Sequence, residues 1–242
     1  MTEKINNTNK TSIVFRSAEC VLSVHDGVGN SILQQRWALD LWHATEDDFV
    51  RILAQTTEIQ KNIENIRIVC ESAHFVFVPT TMFQPDEAHY FLDFERKTDN
   101  SALCFNIIEK KEIVAVFAAP QMLVKALSRF FDNAKIILHL TEIIENQQNT
   151  NENYVQVYFA ENSFDILIFK NNKFNFYNSF KFSNKEDILY YLTSIFEQLS
   201  LNFEQTEIFI YNSKNQKDTT ELLKKSFKIF YFTTPSCKSS DG

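Results

Sequence analysis

The clearest alternation of apolar and polar positions lies between residues 154 and 211. Residues 154–159 and 164–169 are dominated by β-branched and aromatic side chains, which pack well on a pleated sheet, and four residues separate them. Asn171 and Asn172 follow, a pair that tolerates the positive φ of a tight hairpin turn. Beyond it Phe174, Phe176, Phe180 and Phe182 fall on even positions while Asn175, Ser179 and Lys181 fall on odd ones, predicting a strand with one aromatic and one wet face. Ser183-Asn184-Lys185-Glu186 reads as a capping box, and Ile188, Leu189, Leu192, Ile195, Phe196 and Leu199 recur at the spacing of one helix face. The apolar run 208–210 then completes a three-stranded meander, a crossover helix and a fourth strand.

The first seventy residues carry the same order. Residues 12–15, 19–26 and 31–39 read as strands, with the glycine-containing turn 27–30 before the last. Thr45-Glu46-Asp47-Asp48 caps a helix with Phe49, Ile52, Leu53 and Ile59 on its apolar face, and 66–70 is the next strand. The two copies lie roughly 140 residues apart, a period that suits a duplicated domain and is too long for a solenoid. They share pattern and almost no residue identity. Between them, 74–79 reads as a strand, 84–94 as a short helix with Pro85 near its start, and 102–108 and 113–118 as paired strands. Pro120 opens a helix carrying Leu123, Leu127, Phe130 and Phe131, and 135–140 reads as a strand. No apolar residue occurs between Ile144 and Tyr154, which marks a domain boundary. A helix over 219–227 and a strand over 228–232 close the second copy. The expected organisation is a disordered start at 1–11, a first domain at 12–145 with an inserted subdomain near 102–140, a second domain at 154–234, and a frayed tail at 235–242.

Composition narrows the possible chemistry. With 242 residues, 44% hydrophobic content and 24 Phe, the chain can bury a sizeable core. Its net charge of −7 argues against a nucleic-acid partner, because such affinity comes mostly from clustered Lys and Arg. Only three glycines occur, and phosphate-cradling loops generally need glycine for close backbone approach. Cys20, Cys70, Cys104 and Cys237 lack the two-residue spacing of a zinc or redox pair, so buried thiols in a reducing compartment are expected. The polar start is no secretory signal and no run approaches a membrane span; a cytoplasmic protein without membrane insertion is the expectation.

Two meanders with crossover helices resemble the actin-like ATPase fold of sugar kinases, Hsp70 and actin, an α/β architecture of duplicated ribonuclease-H-like domains with mixed sheets flanked by helices. Val78 and Pro79 before a Pro-started helix, and the stretch 164–173, look like the pilus-assembly and cell-division branch of that group. More closely, the chain resembles an uncharacterised family of the Bacteroidetes, domain of unknown function 3822. The resemblance implies two hairpin loops of the type Asp-x-Gly for the phosphates and Mg²⁺, and a Gly-Gly turn for adenosine. In the first copy those positions fall near Phe15 and Ser17, in the loop Arg16-Ser17-Ala18-Glu19. In the second they fall on Tyr158 and Ala160, followed by Glu161, Asn162 and Ser163, and the adenosine turn falls on Asn212 and Ser213. Every signature residue is replaced, which implies vestigial loops, no cofactor and lost ATP hydrolysis. The expected role is then contact with a protein partner, with self-association also open. A divergent nucleotide-binding ATPase of the same fold is the alternative.

Other candidate chemistry is thinner. His25-Asp26 can form an acid/base pair, but adjacent strand residues point to opposite faces. His74 and His89 flank Asp86 and Glu87 without the spacing of a metal motif, so no metal site is expected. Thr80-Thr81 resembles a phosphate-contacting turn and reads equally well as a helix cap. Asp165 adjoins the second loop, and Tyr177, Tyr190 and Tyr191 can mark either an exposed aromatic patch or core.

Overall fold

The computed structural model describes residues 10–26, 28, 30–59, 66–92, 100–131, 135–145, 152–159, 163–211, 217–227 and 231–232. These fall into two compact units, divided between Glu145 and Glu152.

In the first unit, β1 (Lys10–Phe15), β2 (Glu19–His25) and β3 (Ser31–Ala38) form an antiparallel meander. The helix α1 (Glu46–Ile59) crosses to β4 (Ile66–Cys70), which lies parallel to β1, and β8 (Ile136–Leu138) extends the sheet in the order β3-β2-β1-β4-β8. α1 starts where the sequence says it should. Thr45 and Asp48 satisfy each other's backbone N–H groups, at 3.0 and 3.3 Å. Phe49, Ile52 and Leu53 are buried, and Phe49 meets Phe15 edge to face at 5.8 Å.

A three-stranded antiparallel sheet, β5 (Phe75–Pro79), β6 (Ser101–Ile108) and β7 (Ile113–Pro120), is ordered β5-β7-β6. Its central strand β7 is buried along its whole length, and α2 (Ala88–Leu92) covers Val78, Val114 and Val116. Within 102–140, β6 and β7 pair in this small sheet with β5, which precedes that segment, and β8 joins the first sheet. α3 (Gln121–Leu127) follows β7 directly and packs on α1, where Arg129 pairs with Glu46. The strand expected over 135–140 stops after three residues and turns into α4 (His139–Glu145), whose Leu140, Ile143 and Ile144 are buried. That helical spacing was masked by the apolar run preceding it.

The second unit repeats the topology. β9 (Tyr154–Phe159), β10 (Ser163–Lys170), β11 (Lys173–Lys181), α5 (Lys185–Gln198), β12 (Glu207–Tyr211), α6 (Lys217–Ser226) and β13 (Tyr231–Phe232) give the order β11-β10-β9-β12-β13. Val155, Val157, Phe164, Ile166, Ile208 and Ile210 form one core with Leu192 and Phe196 of α5 and Leu223 of α6. Asn171 and Asn172 take φ of 51° and 61°, the left-handed pair required by a two-residue hairpin. Two local readings change. The pairing shifts at Ile168/Phe169, so Phe176, Phe180 and Phe182 pack against the helix-side core while Phe174 lies against Phe169 at 5.9 Å. A bulge of one residue flips the face, which strict alternation cannot foresee. The capping box is also one residue later than expected: Asn184 is the N-cap and accepts from Asp187 N–H at 2.9 Å. Asp187 Oδ2 in return accepts from the N–H groups of Ser183 and Asn184. Among the described residues no helix is long and apolar enough to cross a membrane.

Candidate functional site

The turn between β1 and β2 is the one expected phosphate loop that lies wholly within the described residues. Its position follows from register. Phe15 pairs with Cys20 across the hairpin and with Cys70 on β4, so the residue after β4, Glu71, arrives beside the turn. Glu71 N–H donates to the Phe15 carbonyl at 2.8 Å, and its side-chain Oε2 accepts from Ser17 N–H at 3.0 Å. A carboxylate of the chain itself thus holds a backbone donor that an anion would need. Several other groups of the turn are engaged too. Arg16 N–H donates to the Glu19 carbonyl, and the carbonyls of Ser17 and Ala18 accept from Leu41 and Leu39 N–H. Glu19 receives two guanidinium groups, Arg16 at 2.8 Å and Arg36 at 3.1 Å.

Phe15 stands near the place where the fold family implies a metal-orienting aspartate, and it is fully buried against Phe49. A hydrated Mg²⁺ bound to a triphosphate needs carboxylates that order its water and backbone donors open to phosphate. This turn offers a hydrocarbon ring in the first role and an occupied donor in the second. The residues of this turn do not fit that group. Beside the turn, burial first and the Glu19 charge second push the Cys20 thiol far above its ordinary range, and burial does the same to Cys70. The Cys104 thiol is pushed up to about 11, again by burial. All three are poor nucleophiles.

Of the second loop, Ala160, Glu161 and Asn162 lie outside the described residues, as do Asn212 and Ser213 of the expected adenosine turn. Ser163 opens β10 opposite Lys181. Tyr158, at the expected aspartate position, is buried on β9 between Asp165 and Tyr211.

The remaining candidates do not converge. Asp26 accepts from Val28 and Asn30 N–H and from the Asn30 side chain, closing its own loop. His74 packs edge-on to Trp42 and His89 against Tyr90, and no group of three or more His, Cys, Asp or Glu is placed to hold a metal among the described residues. Thr80 and Thr81 lie in a 3₁₀ turn whose N-cap is Pro79, so neither threonine caps a helix. Asp165 accepts from the Tyr177 hydroxyl at 3.1 Å. Tyr191 packs on Phe180, and of this tyrosine set Tyr190 stands out, 67% exposed.

Two important residues were not flagged by sequence reasoning. Glu71 could have been found from register, as the first position beyond the strand parallel to β1. Asn106 carries no such signal. Buried in β6, its carboxamide donates to the Ile136 carbonyl and accepts from Leu138 N–H, both at 2.8 Å. One side chain thereby satisfies the edge of β8 as a further strand would.

A solved protein of Bacteroides thetaiotaomicron, with actin-like ATPase fold and unknown function, superimposes with a TM-score of 0.79 at 19% identity, covering 98% of this chain and 96% of that one. The PilM–PilN type IV pilus biogenesis complex is similar at a TM-score of 0.50 and 10% identity, covering 93% and 88%. A Ppx/GppA family member from Aquifex aeolicus reaches 0.44 at 12% identity, covering 84% of this chain and 66% of its own. No curated protein sequence matches the chain. With the repeated sheet order, the first of these similarities establishes the actin-like ATPase fold. The model of the family described as protein of unknown function (DUF3822) matches residues 1–229, and the chain belongs to that family.

Proposed function

We propose that the protein is a catalytically degenerate member of the actin-like fold, acting through contacts with other proteins and not through ATP hydrolysis. The carrying observation is the Glu71 carboxylate 3.0 Å from Ser17 N–H. A phosphate approaching this turn meets a like charge already bonded to the donor, and nearby Arg16 and Arg36 are committed to Glu19. Buried Phe15 supports the same reading, because an aspartate there would face a phenyl ring and not a metal's water shell. A divergent ATPase using this turn would need Glu71 to release Ser17 N–H before a phosphate could take that donor.

The test is complementation. In its own host deleted for the gene, a chain carrying Arg16→Ala and Glu71→Ala is expected to restore the wild-type phenotype fully. If the altered chain folds by circular dichroism, fails to complement and has lost an ATP binding that the wild type shows, the turn serves a nucleotide and the proposal is wrong.

A further inference from the structure

We draw no further inference here: the strongest candidate, the row of exposed apolar side chains Leu103, Phe105 and Ile107 along the edge strand β6, carries nothing because the Phe105 carbonyl that an added strand would need is already bonded by Asn106 and nothing in the structure shows what covers the row.

Discussion

Phe15 stands near the position where the fold family implies an aspartate, and it is itself part of the core. It is fully buried, contacts Phe49 of α1 and sits between Cys20 and Cys70. Phe15→Asp, which would introduce the residue type the fold family implies near this position, is therefore expected to be severely destabilising. Removing a buried aromatic costs about 3–5 kcal/mol, and an unpaired carboxyl in its place adds to that. Urea unfolding should show a loss above about 4 kcal/mol; a near-neutral change would mean that the site tolerates a carboxylate and that Phe15 is not core. A single substitution to Asp would thus place a carboxyl in the hydrophobic core, against Phe49.

Helices and strands record how far the sequence could be read. α1 and α5 were legible because a polar cap precedes an apolar stripe at helical spacing, and the Asn171-Asn172 hairpin because few residues accept positive φ. What escaped was set by partners distant in sequence or by a shift of one residue. Phe174 left the aromatic face through a bulge, α4 hid behind three strand residues, and Asn106 acquired its role from β8, some thirty positions away. At the start of α5 two adjacent residues compete for the cap, and the geometry selects Asn184. Asn184→Ala should cost about 1 kcal/mol and Ser183→Ala only a few tenths, measured by thermal or urea unfolding. Equal costs would restore the earlier register of the box. For Asn106→Leu, two buried backbone groups of β8 lose their partner, so a loss of about 2–4 kcal/mol is expected, together with concentration-dependent aggregation through the uncovered edge. A stable, monomeric variant would show that the edge of β8 needs no cover.

At the scale of the whole molecule, one topology is used twice. Sheet order, parallel and antiparallel pairings and a capped crossover helix recur in both units while the residues implied for phosphate and metal do not. The duplication was readable because burial period survives substitution, whereas a site depends on single residues and on register. Glu71 shows the difference: an unremarkable glutamate in the sequence, it becomes the ligand of the turn once β4 lies parallel to β1. The most direct measurement is calorimetric titration of the intact protein with ATP in the presence and absence of Mg²⁺. A degenerate site predicts no heat beyond dilution, meaning affinity weaker than about 1 mM. Saturable, Mg²⁺-dependent binding at micromolar concentration would contradict it.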